Sequence, residues 1–455
     1  MKTPKPFWEF EPVSAKAWKQ KIQADLKGGD YNELLTWRSP EGITVKPFYS
    51  KEDLPAGSGG NTSRQPLHWQ IGHAAHPESE EGSNLAREAL EQGADGLLTL
   101  VNPENSGKLS GLKKLPGAKW FDLRGVAPET LENLQEIADA SHEWLLDPIG
   151  DLVATGNWRE GMAKDLSGLG TPISVSTGKT SLAIHLSQYQ NAGATRVQEL
   201  AYGLAHAHEY LLRADDIPGI KRLLEQPVFL VAVGNEYFFE IAKLRALRRL
   251  WELLAKSAGF SGDCRIFAFP TQRNKTLYDY NTNLLRTTTE CMAAVLGGAD
   301  LVVNLPYDGL YHDPNAFADR IARNQLLLLR HESYLSSVSN PADGTYYIES
   351  LTDQLGKKAL ELFKTLEQGG GFLKQLKEHR IQKKIRESAQ AEQQAFDEGR
   401  LVLVGSNKYP NPEDRMKEDL QRNPFPKSRV EKTLIEPILP KRLSEGYEQK
   451  RLGNE

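Results

Sequence analysis

Residues 264 to 334 hold two strand–loop–helix units in series, and that repetition limits the fold more than any other feature of the chain. Cys264 to Phe269 is a short apolar run with β-branched and aromatic content, ended by Pro270. The spacing of Leu284, Leu285, Met292, Val295 and Leu296 predicts a helix over 281–296. Gly297-Gly298 stops it, because glycine enters the left-handed region without a Cβ penalty. Leu301 to Val303 reads as a buried strand closed by Pro306, and a second helix is expected from Ala316 to Ser333. Successive βα units imply a parallel sheet covered by helices.

The same alternation runs upstream. Strands are expected at 67–72, 97–101, 119–123, 144–146, 173–176 and 228–233. Helices are expected at 83–92 with Ser83 as N-cap, and at 129–140, 197–212 and 236–257. Asp147-Pro148-Ile149-Gly150 opens a loop that runs to 170. The total is about eight strands, which predicts an α/β protein built as a (β/α)8 barrel rather than an open sheet. At 455 residues the chain has room for that barrel and for extensions. We expect an N-terminal arm at 1–50, the barrel within 51–350, and C-terminal helices with an irregular tail at 351–455. The arm spreads Trp8, Phe10, Trp18 and Trp37 among polar residues, with a helix at 15–26. So aromatic a segment must pack on its own barrel or on a partner chain. A Gly/Ser/Pro-rich linker follows at 51–63. At the other end, helices at 351–368 and 372–398 flank Gly369-Gly370-Gly371. The tail beyond Gly405 carries six prolines from Pro410 to Pro440, the composition of a wrapped or disordered extension and not of a domain.

A net charge of -4 and a pI of 6.3 give no global field for nucleic acid or an acidic membrane. The two cysteines, Cys264 and Cys291, fall in expected core elements, which fits a reducing cytosol better than a disulfide framework. The opening residues lack an apolar segment of the signal-peptide kind, so a cytoplasmic location is expected. The ten histidines form no obvious metal constellation. His206 and His208 are two apart on a helix and face different ways. His73 and His76 lie beside Glu78, Glu80 and Glu81 in what reads as a solvated polar loop rather than a metal site. The run Val175 to Thr180 is the nearest approach to a phosphate cradle, but it lacks the preceding glycine of a P-loop and reads as a turn with a helix cap. Asn304, Asp308 and Tyr311 follow the 301–303 strand, where barrel enzymes place catalytic groups; capping of that loop is the equal alternative.

Three longer stretches carry a family resemblance. They are Gln190-Asn191-Ala192-Gly193-Ala194-Thr195 with Ala201-Tyr202; Val233-Gly234-Asn235-Glu236-Tyr237-Phe238-Phe239-Glu240 running on to Ala246 and Trp251; and 281–298 continuing into Arg320 to Gln325. With Val404 to Tyr409 after the barrel, they resemble the methylmalonyl-CoA mutase family. The arm, with Glu41-Gly42-Ile43, is similar to the family's small-subunit branch. The resemblance implies a (β/α)8 barrel threaded by the pantetheine arm of an acyl-CoA. It also implies a separate α/β domain holding adenosylcobalamin at the barrel mouth, and interconversion of methylmalonyl-CoA and succinyl-CoA by the complex.

The chain departs from the family at the chemistry. The Asp-x-His-x-x-Gly motif that ligates cobalt does not occur. The family's catalytic Tyr-His pair aligns on Ser187 and Gln188, with His185 three residues from that slot, and its other catalytic tyrosine aligns on Ile71. Glutamine can donate to a thioester oxygen but cannot shuttle a proton near neutral pH. Polar channel positions become Val228, Leu230, Phe267 and Phe269. These changes imply a plugged barrel with no catalytic, cofactor or metal ligands of its own. The expected role is a small, non-catalytic subunit that assembles with a large catalytic mutase subunit, which carries the adenosylcobalamin; a homodimer is the form open to the chain in isolation. The alternative is a substrate-binding barrel that uses a separate cobalamin-binding chain.

Overall fold

The computed structural model describes residues 13–54, 68–102, 105–124, 126, 141–169, 178–217, 219–425 and 432–455. Eight parallel strands close into a barrel. They are β1 (Gln70–Ala74), β2 (Gly96–Leu100), β3 (Ala118–Asp122), β4 (His142–Leu146), β5 (Lys179–His185), β6 (Val228–Val233), β7 (Arg265–Pro270) and β8 (Leu301–Val303). Each pairs with the next in sequence, and β8 closes on β1 with Leu301 opposite Gln70 and Val303 opposite Gly72. The (β/α)8 architecture is therefore as expected, with several local differences.

The strand expected at 173–176 lies outside the described residues, as does the helix expected at 129–140. The fifth rung is Lys179–His185, so Lys179 and Thr180 belong to a strand and not to a phosphate-binding turn. The β-branched and apolar run Thr180 to Ile184 explains it. The loop expected from 147 to 170 contains two helices, Pro148–Thr155 and Met162–Ser167. Asp147 starts the first by accepting from the Gly150 N–H at 2.9 Å, with proline at the first helical position, where no N–H is needed. The helix expected to start at Ser83 instead runs Glu80–Glu91, capped by Ser79, whose hydroxyl accepts from the Gly82 N–H. His73 sits in β1 rather than in a solvated loop. The charged stretch 372–398 is two helices, Phe372–Lys377 and Arg380–Asp397, because His379 takes a left-handed backbone with φ of 57°.

Two aspartates close the base of the barrel in the same way. Asp95 precedes β2 and accepts from the Ile71 N–H at 2.7 Å; Asp300 precedes β8 and accepts from the Ile266 N–H at 2.6 Å. Each also pairs with an arginine from the helical shell, Arg330 and Arg248 respectively. The largest core cluster lies between strands and helices and continues into Leu351, Leu355, Phe363 and Phe372, so the C-terminal helices share the barrel's apolar shell. Helix Tyr346–Gln368 packs across helices Arg196–Leu211 and Tyr237–Ser257. The described part of the arm also rests on this chain. Ile43 is buried, Trp37 meets Phe239 edge-on at 5.6 Å, and Tyr49 meets Tyr347 at 4.8 Å.

Glycine is required inside the barrel wall for space rather than for backbone freedom. A Cβ at Gly96 would stand 2.5 Å from both the Ala118 carbonyl oxygen and the Trp120 ring, whereas one at Gly356, within a C-terminal helix, would meet nothing within 4 Å. Gly96→Ala should therefore destabilise the fold by about 1–3 kcal/mol through overpacking. Gly356→Ala should stabilise it by about 0.5–1 kcal/mol through helix propensity. Urea midpoints of the two variants against the parent chain check both signs.

Candidate functional site

Side chains of alternate strand residues fill the barrel in layers. Trp120 on β3 meets Phe267 on β7 edge-on at 5.5 Å. Those strands are not neighbours in the sheet, so the contact crosses the axis. Leu145, Ala183, Val228, Leu230, Leu301 and Val303 complete this cluster, all buried, with half-buried Phe269 packed on it. Gly72 gives way to Val303, whose Cγ2 would lie 2.6 Å from a Cβ there.

Below the apolar layer, at the N-terminal ends of the strands, Glu143 of β4 faces Arg265 of β7. The two form a bidentate pair, with Arg265 Nη1 donating to Glu143 Oε2 at 2.8 Å. Ser181 donates to the same carboxylate, and the Trp120 indole N–H reaches it at 3.2 Å. Burial pushes the Glu143 pKa up, but Arg265 outweighs it and holds the carboxyl below its ordinary value.

Above the apolar layer, at the C-terminal mouth, stand Asp122 of β3, Asp147 just after β4, and His185 at the end of β5. His185 is fully buried between the two carboxylates. Its Nδ1 lies 2.7 Å from Asp147 Oδ2 and its Nε2 3.1 Å from Asp122 Oδ2. The network continues outward. Arg124 Nε donates to Asp122 at 3.0 Å, Tyr210 donates to Asp147 at 2.7 Å, His206 Nε2 lies 2.8 Å from Asp147, and Tyr189 meets His206 Nδ1 at 3.0 Å. Burial and Arg124 push the His185 pKa down, but the two aspartates prevail and leave it raised. Burial pushes Asp122 and Asp147 up; Arg124 and His185 hold Asp122 down to about 2, and His206 and His185 hold Asp147 well below the carboxylate range.

A second charged network pins the arm. Arg196 meets Glu41 of the arm at 3.0 Å, Glu236 at 2.9 Å and Glu240 at 2.8 Å; Lys243 continues it to Glu240 and Glu199. The tail crosses the mouth on the other side. The Lys441 N–H donates to the Asn191 carbonyl, the Leu443 N–H to that of Arg273, and those of Gln421 and Arg422 to that of Tyr311.

The positions singled out in the sequence occupy different places. Ile71 is buried on the helix side of β1, because its neighbour Gly72 faces the axis. Ser187 is half-buried at the start of the short helix Ser187–Asn191. Gln188 is buried, and neither its amide oxygen nor its nitrogen has a partner among the described residues. Val228, Leu230 and Phe267 lie in the axial cluster. His206 and His208 do diverge, His208 pairing with Glu367 at 2.9 Å near the surface. His73 is buried 3.8 Å from Asp319, and burial takes its pKa down to about 4. No group of three or more His, Cys, Asp or Glu suited to a metal occurs among the described residues. Asn304 bonds the Ala322 carbonyl and Gln325, and Asp308 accepts from Asn315 while facing His312, which is the capping alternative. Both cysteines are buried free thiols, and no described helix is long and apolar enough to cross a membrane. Sequence reasoning missed Asp122, Asp147 and Glu143. Their signal is strand parity, since Trp120/Asp122, Glu143/Leu145/Asp147 and Ser181/Ala183/His185 each occupy one face.

The His185 clamp sets a pH dependence. Its folded pKa is raised above 6.5, so its stabilisation is complete below about pH 6.5 and is lost as pH rises through the folded value. Asp122, lowered to about 2 from 3.8, acts at the other end: its contribution is present above 3.8 and is lost as pH falls through about 2. Asp151, which burial pushes up to about 7 against Arg159, contributes stability that is present below 3.8 and is lost as pH rises to about 7, the same direction as His185 in a lower window. His185→Asn should cost on the order of 3–5 kcal/mol at pH 6, because two buried carboxylates lose their shared cation. The gap between parent and variant, read as urea midpoints from pH 6 to 9, should narrow. A gap constant across that range would mean an imidazole pKa unchanged by folding, and a widening gap an imidazole held neutral in the fold.

Sequence comparison places this geometry among known proteins. A profile of the family described as methylmalonyl-CoA mutase matches residues 174–444. The methylmalonyl-CoA mutase small subunit of Porphyromonas gingivalis is 31% identical over 89% of this chain and 71% of its own length. That of Streptomyces virginiae is 28% identical over 92% of this chain and 73% of its own. The mitochondrial methylmalonyl-CoA mutase of Bos taurus is 28% identical over 86% of this chain but only 60% of its own length. The match runs through every strand from β5 to β8 and on into the tail at the mouth, and the chain belongs to the methylmalonyl-CoA mutase family.

Proposed function

We propose that this chain is the small, non-catalytic subunit of a heterodimeric adenosylcobalamin-dependent methylmalonyl-CoA mutase, and that its barrel supports a large catalytic subunit. The observation that carries this reading is the axis itself. Trp120, Leu145, Val228, Leu230, Phe267, Leu301 and Val303 occupy the space through which an acyl-CoA would thread. Each such side chain favours burial by roughly 1.5–3 kcal/mol, so opening a channel would forfeit most of the layer's stabilisation. The small-subunit names of the Porphyromonas and Streptomyces relatives support the same reading.

Adenosylcobalamin does not fit the donor set of this chain. His185 is clamped between two aspartates and His206 between Asp147 and Tyr189. Beyond Tyr346 the described residues form helices and extended segments, without a strand of the kind an α/β cofactor domain needs. On this reading the cofactor belongs to the partner, and the role of this chain is to present a stable surface. One observation favours the second reading, a substrate-binding barrel served by a separate cobalamin-binding chain: the buried Gln188 amide has no partner, and it stands where the resemblance puts a catalytic histidine.

The purified chain should leave the visible spectrum of adenosylcobalamin unchanged and should not isomerise methylmalonyl-CoA. Mixed with a large mutase subunit, it should co-elute with it on size exclusion. Removal of residues 1–50 should weaken that assembly more than it lowers the urea midpoint of the barrel. Turnover by the chain with added adenosylcobalamin would sink the proposal. Turnover that needs only a small cobalamin-binding protein lacking a barrel would establish the split-enzyme reading instead.

A further inference from the structure

At one of its crossings the tail is tied to the barrel mouth through a histidine. His312 lies in the loop after β8, and both of its ring nitrogens face carboxylates. Nδ1 is 3.0 Å from Asp308 Oδ2 of the same loop, and Nε2 is 3.1 Å from Asp419 Oδ1 of the tail. Asp308 is buried and also accepts from Asn315 Nδ2 at 2.9 Å. The Asp419 side chain is 51% exposed and that of His312 22%, so solvent reaches the bridge from the tail side.

The chemistry of imidazole makes this bridge conditional. The cation has two N–H donors and satisfies both carboxylates. The neutral ring has one donor and one lone pair. Once the proton leaves, one carboxylate must face that lone pair, and its contact turns repulsive. Asp308 is fixed by burial and by Asn315, whereas Asp419 can turn into water. The bond to the tail is therefore the one that breaks.

The surroundings single out His312 as the titrating member. Burial pushes its pKa down, but the hydrogen bonds to Asp308 and Asp419 prevail and leave it raised. The ring of Tyr311 lies 4.3 Å from that of His312; burial pushes Tyr311 and Tyr307 up, so both stay neutral. Asp313 pairs with Arg422 of the tail at 2.6 Å, a pair that keeps its charges across the neutral range. His76, which feels the Arg422 charge, is held down by burial. In the next helix, burial and Asp308 push Asp319 up to about 7, and that carboxyl faces His73 at 3.8 Å. The other contacts here do not titrate near neutral pH. The Gln421 and Arg422 N–H groups donate to the Tyr311 carbonyl at 2.8 Å, Gln421 Oε1 accepts from the Asp313 N–H, and Met416 is buried with Leu277, Tyr278 and Tyr311. Loss of the His312 bridge would therefore loosen one segment and leave the tail anchored.

We propose that His312 is a pH-sensitive latch: as an imidazolium it clasps Asp308 of the barrel and Asp419 of the tail, and its deprotonation loosens the tail around Gln421 and Arg422 from the loop after β8. Because the folded pKa is raised, the latch is closed below about pH 6.5 and opens as pH rises through the folded value. The inference stands independently of the subunit's role in a mutase.

Hydrogen exchange of the full chain, read by mass spectrometry at pH 6 and pH 8.5 with each rate divided by the intrinsic rate at that pH, tests it. Protection of a peptide over 417–425 should fall by about two- to fivefold between the two, the range of a partly exposed ion pair. A peptide over 441–450, where the Leu443 N–H donates to the Arg273 carbonyl at a different crossing, should not change. Asp419→Asn keeps a partner for either form of the ring, since its amide both donates and accepts. Protection over 417–425 should then be the same at both pH values. His312→Ala should be at least as loose at pH 6 as the parent is at pH 8.5. Equal protection of the parent at both pH values would overturn the proposal, as would an equal loss over 441–450, which is general loosening. So would a pH dependence that survives in Asp419→Asn, which would trace to another group such as Asp319, or a His312→Ala variant as protected at pH 6 as the parent.

Discussion

The contact of Trp120 with Phe267 across the barrel axis is the constraint on which the rest of the molecule depends. An eight-stranded barrel encloses just enough space for side chains, and that space must be filled for the sheet to close. Here two aromatic rings from opposite sides of the barrel meet in its middle, and smaller residues fit round them. Gly72 and Gly96 yield volume to Val303 and Trp120, and Ala183 does the same on β5. The glycines and the tryptophan form one packing solution, so none can change alone without strain.

The polar layers on either side follow from this apolar one. A charged residue in a barrel is tolerated only with its partner beside it, because desolvation is otherwise uncompensated. Glu143 and Arg265 meet that condition at the base, and Asp122, His185 and Asp147 meet it at the mouth. The Glu143–Arg265 and Asp122–His185 pairs each join strands that are not hydrogen-bonded to one another, so these ions fix the cross-section of the barrel as well as its charge balance. The tail and the arm repeat the logic outside, where Glu448 meets Arg442 and Glu41 meets Arg196.

These layers bear on function through what they leave no room for. A barrel that threads a long flexible substrate arm needs a polar, continuous channel. This one is packed at mid-height and carries a ring of mutually satisfied ions at its mouth. Under the proposed reading, a chain released from catalysis can place its most stabilising side chains where a catalytic barrel must keep space. The surfaces that remain available are then the aromatic arm, with Trp18 and Trp37 about half exposed, and the seam between tail and barrel.

The sequence by itself determined the parallel barrel, because βα alternation with apolar runs of strand length admits few other folds. It also determined β6 and β8 to the residue, where uninterrupted apolar runs rich in Val leave no ambiguity. It misplaced β5, because Lys179 and Thr180 resemble a turn when read alone and become strand only through pairing with Glu143 and Trp144. It read 147–170 as a loop, since the helix starting at Pro148 has no polar face to show a helical period: Ile149, Leu152 and Val153 are buried, and so is Asp151. The apolar axial positions were legible from resemblance to the family, but which of them meet across the axis was not. Only the tertiary structure decided the ionic layers. Asp122, Asp147 and His185 lie 63 residues apart in sequence from first to last, and no local pattern links them. Barrel closure brings three strand ends within hydrogen-bonding distance, and only there do a buried imidazole and two buried carboxylates become mutually stabilising.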